Sequence, residues 1–332
     1  MKLNIAVVGA MGAVGQTMLS ILAHSALPIN RLKLLDIGEN VGRKVPWRET
    51  ELTVEAPRKG QFADIDIALF SAGREASQAL APLASGEGAV VIDNSSYWRL
   101  HKAVPLVVPE VNPLALRGHQ GIIANPNCST IQLVVALNSL HHHYTIERVV
   151  ISTYQAVSGS GQKAVEELKA QSWAFLRGEK GVKAVYQHQI AFNAIAQIDD
   201  FLENGYTKEE MKLVEETQKI MDSSLAITAT AVRIPVFTSH SESVNVTFSK
   251  AFEMEEVRET LANAQGVTLV EEGYPLPLEV AGTDKVFVGR LRRDFSVANG
   301  LNFWIVADNL RKGAALNTVQ IAEKLVELDL LR

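Results

Sequence analysis

Apolar and polar positions along the chain fall into two rhythms that change near residue 145. Before it, short continuous apolar runs alternate with helical stretches. Residues 3–8 (Leu-Asn-Ile-Ala-Val-Val) form a largely apolar, β-branched run suited to a buried parallel strand. A glycine-rich turn and a helical run, Gln16 to Ala23, follow; a second strand, Arg31 to Leu35, ends at Asp36. Apolar runs at 65–71 and 89–92 read as further strands, with a helical stretch at 74–84 between them. Strand–helix–strand order of this kind implies a doubly wound parallel sheet. Residues 104–113 carry three prolines and read as an extended connector. It leads to a strand end at 121–124 and an apolar helical run, Ile131 to Leu137.

After residue 145 the pattern becomes α+β. Arg148 to Val157 reads as a strand ending in Ser158-Gly159-Ser160-Gly161, with a helix over about 162–177. Thr207-Lys208-Glu209-Glu210 fits a capping box, so a helix should begin there. Strands are expected at 225–232, 243–249, 267–271, 285–291 and 301–307. The polar–apolar alternation of 243–249 is that of a largely antiparallel sheet with one covered face. An amphipathic helix over about 312–329 is expected to pack back on the first domain. The reading is therefore an α/β chain: an N-terminal Rossmann-like domain over 1–127 with the C-terminal helix 310–332, and an α+β catalytic and dimerisation domain over 128–309.

Composition narrows the function classes. With 47% apolar and 21% charged residues among 332, the chain is an ordinary globular one. Its net charge of −5 is spread without a basic block, which argues against nucleic-acid or membrane-surface partners. No apolar run reaches membrane-spanning length, and Met1-Lys2 leads straight into the first strand, so neither a membrane segment nor a signal peptide is expected. One cysteine allows no internal disulfide and no zinc-type spacing; the cytoplasm is the natural compartment and no metal is expected.

Three stretches carry candidate chemistry. Gly9-Ala10-Met11-Gly12-Ala13-Val14-Gly15 stands between the first strand and helix, a variant of the glycine turn that brings backbone N–H groups and a helix N-terminus to a dinucleotide pyrophosphate. Strand ends at Ser71-Ala72-Gly73 and Asp93-Asn94-Ser95-Ser96 would line the same crevice, although ordinary turns use the same residues. The only cysteine, Cys128, follows Asn125-Pro126-Asn127 at an expected helix start, where unpaired N–H groups and the helix dipole favour a thiolate nucleophile; a buried structural cysteine is the plainer alternative. Of eight histidines, His240 stands out as a general acid/base, seven residues after Arg233, whose fork suits a carboxylate. Glu209 and Lys212 share a helix face, which by default is an exposed ion pair. His141 to His143 are adjacent, cannot share a helix face, and read as a solvated helix end.

Along nearly its whole length the sequence resembles the aspartate-semialdehyde dehydrogenase family. The matching segments are the glycine loop, Asp93 to Ser96 with Arg99, Val104 to Asn112, Asn125 to Thr130, Gln155 to Gly161, Glu209 to Lys212, Arg233 to His240, and Asp308 to Ala315. The resemblance implies reversible NADP-dependent reductive dephosphorylation of aspartyl phosphate to aspartate semialdehyde, in lysine, methionine and threonine biosynthesis. It implies that Cys128 forms an acyl thioester, His240 is the acid/base and Gln155 orients the acyl group. By the same resemblance Arg233 and Glu209 hold the substrate carboxylate and amine, and Arg99, Asn127 and Lys212 the phosphate. Ser158, Gly159 and Asn309 approach the nicotinamide, and the assembly is a homodimer or dimer of dimers through the second domain.

Related reactions stay open: N-acetyl-γ-glutamyl-phosphate reductase, malonyl-CoA reductase, or a silent nucleotide-binding homologue. Glu209 speaks against the first, since a carboxylate suits a free ammonium, and the intact set of Cys128, Gln155, Arg233 and His240 against the last. One stretch departs from the family. Where relatives carry Ala-Ser-x-Arg-Ser-Ala-Gly for the 2′-phosphate of NADP, this chain has Asp36-Ile37-Gly38-Glu39-Asn40-Val41-Gly42. Two carboxylates where a cation is expected lean towards NAD, unless Arg43 or Lys44 folds back to the phosphate.

Overall fold

The computed structural model describes residues 2–331 and divides into two compact units, one of residues 2–127 with 314–331 and one of residues 128–313.

The first unit is built on a seven-stranded sheet in the order β3-β4-β2-β1-β5-β6-β7. Strands β1 (Leu3–Val8), β2 (Ile29–Leu35), β5 (Ile67–Phe70), β6 (Val90–Asp93) and β7 (Ile122–Ala124) run parallel. Both faces of β1, β5 and β6 are largely buried, which explains their mostly apolar runs. One part of the sequence carried no clear signal: β3 (Lys44–Trp47) and β4 (Thr50–Glu55) form an antiparallel hairpin at the sheet edge, with Pro46 tolerated there. Helices α1 (Ala13–Leu22) and α2 (Arg74–Gly86) cross between strands. The chain returns as α8 (Leu316–Glu327), whose Val319, Ile321, Ala322 and Leu325 join the core cluster of Ile5, Val7 and Met18. Asn317 at its start donates to the Val107 carbonyl (3.1 Å) and to Asn125 Oδ1 (2.7 Å), holding the connector and the end of β7. The expected helix start at 312 is instead a π-helical turn, Arg311–Ala315.

The second unit carries a six-stranded sheet, β11-β12-β13-β10-β8-β9. Its strands are β8 (Ile146–Gln155), β9 (Ala226–Arg233), β10 (His240–Phe248), β11 (Val267–Leu269), β12 (Val286–Asp294) and β13 (Gly300–Ala307). The central pairs are antiparallel; β8–β9 and β11–β12 are parallel. Helices α3 (Cys128–Tyr144), α5 (Lys208–Ile220), α6 (Met254–Ala262) and the short α7 (Pro277–Val280) pack on it, with α4 (Gln162–Leu176) elsewhere in the unit. The capping box is complete: Thr207 Oγ1 accepts from the Glu210 N–H (3.3 Å) and Glu210 Oε2 from the Thr207 N–H (2.7 Å). Between α4 and α5 the chain forms no helix or strand longer than isolated bridges. Buried Glu167 and Gln171 of α4 hold it: Glu167 accepts from the N–H of Ala184 (2.8 Å) and of Val185, and Gln171 Oε1 accepts from the N–H of Ile190 (2.9 Å) and Ala191 (3.2 Å). The helix expected over 131–137 is longer at both ends, with Cys128 as its first residue. His142 and His143 are exposed in its last turn, but His141 is half-buried beside Asp222, 3.8 Å away.

Candidate active site

In the second unit the candidate residues lie at the ends of elements. Cys128 opens α3, whose first turn holds no acidic residue to offset the positive end of its dipole. A β-carbon on Gly313 would come within 2.9 Å of the Cys128 β-carbon, so only glycine lets that turn pass Cys128. Gln155 ends β8, Arg233 ends β9 directly opposite it, and His240 begins β10.

These ends are tied together. The Ala156 N–H donates to His240 Nδ1 (3.0 Å), and Arg233 Nη1 donates to the Ala156 carbonyl (2.7 Å). Both side chains are buried, and a β-carbon on Gly159 would lie 2.9 Å from Arg233 Nη1 and 3.3 Å from His240 Nε2. A side chain at Gly159 would therefore displace Arg233 and crowd His240. Gln155 Nε2 donates to Thr153 Oγ1 (3.2 Å) and to Glu209 Oε1 (3.1 Å); Lys212 Nζ donates to Glu209 Oε2 (3.2 Å) and Asp199 Oδ2 (2.9 Å). The Glu209–Lys212 pair is no exposed helix pair, since Glu209 is only 5% accessible. Burial opposes the Lys212 charge, but Glu209 and Asp199 outweigh it and hold the ammonium above its ordinary value. Asn309 lies against the Ser158 hydroxyl (3.0 Å) and accepts from the Ser239 N–H (2.9 Å). Ser239 takes φ 75°, a strained value for a residue with a side chain, immediately before His240.

Burial, and then the positive charge of Arg233, hold the His240 imidazole well below its ordinary value. Because a backbone N–H occupies Nδ1, the neutral ring carries its proton on Nε2, which has no other partner among the described residues. The ring is therefore a neutral donor at physiological pH. Protonation favours the unfolded chain, so its stability contribution is full above the ordinary histidine value and is lost as pH falls below it. Ring nitrogen shifts from NMR are expected to report the Nε2–H tautomer throughout pH 8 to about 6; an imidazolium signal in that range would overturn the assignment.

The first unit holds the glycine loop. Gly9, at φ 80°, lies so close to the Ser71 carbonyl that a β-carbon would meet its oxygen at 2.4 Å, and one on Gly15 would meet the Gly9 oxygen at 2.2 Å. Gly12 has room for a side chain as the chain stands (3.5 Å). It caps α1 without a side-chain bond, and Ala13 and Val14 open the helix with no acid in the first turn, leaving N–H groups for an anion. A cavity of about 280 Å³ beside the loop is lined by Gly9, Met11, Gly12, Asp36, Asn40 and Ser71, among others. Asp36 Oδ2 accepts from the Met11 N–H and Oδ1 from the Ile37 N–H, both 2.8 Å. Glu39 is exposed on the single turn Gly38–Asn40, Arg43 Nη1 donates to Asn40 Oδ1 (3.1 Å), and Lys44 turns to Glu51 (3.4 Å). Gly73, at φ 84°, caps α2. Arg99 is buried and donates to the Asn94 carbonyl (2.9 Å), Asn125 donates to Asn94 Oδ1 (2.6 Å), and Asn127 is buried at the end of the unit. Burial lifts the Asp93 carboxyl although the Ser95 hydroxyl donates to it at 2.6 Å.

Comparison with known proteins agrees with this geometry. Residues 4–119 match the family model described as semialdehyde dehydrogenase, NAD binding domain, and residues 137–312 that of the semialdehyde dehydrogenase dimerisation domain. The chain is 50% identical to the aspartate-semialdehyde dehydrogenase of Aquifex aeolicus, covering all of both chains, and 49% identical to that of Bacillus subtilis, covering 99% of each. This chain belongs to the aspartate-semialdehyde dehydrogenase family. Among solved structures, aspartate semialdehyde dehydrogenase II from Vibrio cholerae complexed with ASA superposes with a TM-score of 0.97 at 45% identity, covering 98% of this chain and 99% of that one. Family membership makes the protein an oxidoreductase that uses a nicotinamide cofactor, acts on small molecules and dimerises.

Residues that bond the candidate residues within each unit carry no local signal. Asp199 sits in the irregular stretch before α5 at φ 69°, and nothing in its sequence context points to Lys212. Thr153 and Asn317 look like ordinary strand and helix residues, and only their partners distinguish them. Among the described residues no cluster suited to a metal ion occurs, and no helix is long and apolar enough to cross a membrane.

Proposed function

We propose that the protein catalyses the reversible, nicotinamide-dependent conversion of L-aspartyl 4-phosphate to L-aspartate 4-semialdehyde and inorganic phosphate. The observation that carries the reading is the buried chain at the strand ends of the second unit, in which His240, Arg233, Gln155, Glu209 and Lys212 are linked directly or through Ala156. In the biosynthetic direction the Cys128 thiolate attacks the acyl phosphate, and phosphate leaves with the C–O bond electrons. A bound reduced nicotinamide would supply the hydride to the thioester carbon, and collapse of the resulting hemithioacetal would release the aldehyde and return the Cys128 thiolate. A thioester accepts hydride more readily than a carboxylate, which is what the covalent step achieves. His240 acts as the acid/base centre, and its Nε2–H, facing no protein acceptor, donates to the oxygen that gains charge. The neutral-histidine electrophile of triosephosphate isomerase is the physical parallel.

Arg233 takes the substrate carboxylate, and Glu209 the ammonium in place of part of its bonding to Lys212. Lys212, Arg99 and Asn127 take the phosphate, and Gln155 orients the acyl group. The glycine loop with Ser71 and Gly73 holds the cofactor's phosphates and adenosine half; Ser158, Gly159 and Asn309 face its nicotinamide. A homodimer through the second unit, or a dimer of dimers, is supported by the dimerisation-domain match and by exposed Trp173, Phe175, Leu176, Phe192 and Phe201. The enzyme works in the cytoplasm, where its single thiol stays reduced, in the synthesis of lysine, methionine and threonine. Phosphate-dependent reduction of NAD⁺ or NADP⁺ by aspartate semialdehyde tests the assignment; no turnover with either cofactor refutes it.

We further propose that NAD is used at least as well as NADP. Asp36 lines the cavity at the end of β2, and each of its oxygens keeps a lone pair beyond its one backbone bond. That suits a ribose 2′-hydroxyl and repels a 2′-phosphate. Glu39 adds negative charge on the next turn. Like charges at this range should shift preference by about 1–3 kcal/mol, on the order of five- to a hundredfold. Arg43, bonded to Asn40 on the cavity wall, is the one feature that favours NADP. The measurement is kcat/KM for each cofactor at fixed phosphate and salt; a tenfold preference for NADP would defeat the proposal and direct mutation to Arg43.

A further inference from the structure

Beneath the proposed site lies a second acid–amide pair that the reaction scheme does not use. Gln132 stands four residues after Cys128, on the same face of α3. Glu242 stands two residues after His240, on the same face of β10. Both are fully buried. The Gln132 side chain acts on the Glu242 carboxyl. Neither polar end has a hydrogen-bond partner that meets ordinary geometry among the described residues. Four buried polar atoms without partners at one point are rare in a folded core, where such groups are paired or have a function.

We propose that Glu242 and Gln132 form a positioning pair that sets Cys128, at the start of α3, against His240, at the start of β10. The inference rests on the assignment of Cys128 and His240 as the reacting groups. A protonated carboxyl and a primary amide are complementary, O–H to amide oxygen and NH₂ to carboxyl oxygen, so the pair closes a two-bond ring. A carboxylate could close only one of those bonds.

The surroundings keep the acid neutral. The charged and titratable groups on this sheet face and the elements over it include His240 and Arg233, Glu209, Glu210, Lys212 and Glu216 of α5, Cys128 and His141 of α3, and buried Lys312 in the turn that passes Cys128. Burial raises its carboxyl well above the usual range, with only Gln132 opposing. A neutral acid also spares the Cys128 thiolate a negative charge one helical turn away.

The test uses the full-length enzyme. Glu242→Leu should lower kcat at least about tenfold with KM for aspartate semialdehyde within about threefold. The reciprocal exchange, Gln132→Glu with Glu242→Gln, should restore kcat to within about threefold of wild type. In Glu242→Gln, the pH midpoint for iodoacetamide alkylation of Cys128 should match wild type, because a neutral acid is replaced by a neutral amide. This readout needs no turnover, so it stands even if Glu242→Leu does not fold or the activity assignment fails. The proposal is overturned by a Glu242→Leu kcat within twofold of wild type. It is equally overturned by an exchange no more active than Glu242→Leu, or by a midpoint about one unit lower in Glu242→Gln, the mark of an ionised glutamate.

Discussion

Cys128→Ser is expected to bind cofactor normally and to lose on the order of a thousandfold or more in kcat. A serine hydroxyl fits where the thiol sits, at the first residue of α3 with Gly313 against its β-carbon, so the fold is not disturbed. What changes is the chemistry. The helix N-terminus can favour a thiolate that is already accessible near neutral pH, whereas an alkoxide stays vanishingly scarce. His240 does not compensate. Held well below its ordinary value by burial and by Arg233, its imidazole is too weak a base to draw the proton from a serine hydroxyl. Steady-state kinetics followed by reduced-cofactor absorbance, with cofactor titration as the control, decide the matter. Activity within tenfold of wild type would mean that Cys128 is not the nucleophile.

Arg233→Lys keeps the charge yet is expected to lose about 2–4 kcal/mol of transition-state binding, roughly thirty- to a thousandfold in kcat/KM for aspartate semialdehyde. The guanidinium already spends Nη1 on the Ala156 carbonyl at 2.7 Å, while Nε has no partner among the described residues. Its planar fork can hold the backbone with one corner and offer another edge to a carboxylate; an ammonium must choose. The same bond ties Arg233 to the residue whose N–H orients His240, so a lysine would also loosen the ring. Cofactor affinity should be little changed. An unaltered kcat/KM would remove Arg233 from the substrate site.

Local signals in the sequence were legible wherever a physical rule acts within about a turn of helix or a few strand residues. The largely apolar run of β1, the glycine spacing at 9–15 and the capping box at Thr207 are of this kind, and the structure contains each. Cys128 at a helix start follows from Pro126 and Asn127 before an apolar run. Boundaries were less accessible. β10 begins at His240, three residues before its alternation becomes visible, because Ser241 and Glu242 are buried along with their apolar neighbours. The β3–β4 hairpin is short, charged and at an edge, where pairing to β2 rather than composition makes the strand. Exposed, acid-rich α6 carries only a weak apolar stripe, and its place on β11 and β12 defines it.

The sequence by itself determined the doubly wound first unit, the mixed sheet of the second and the residue types available for chemistry. Periodicity, turn chemistry and capping are properties of neighbouring residues. Only the tertiary structure decided which of those residues meet. Gln155 reaches Glu209 across 54 positions and the Ala156 N–H reaches His240 across 84. Glu167 is turned into the core to hold a loop, and Glu242 is kept from water beside Gln132. A buried and an exposed glutamate are the same letter. What separates them is the low-dielectric surroundings and the partner supplied by a distant segment, and neither exists until the chain has folded.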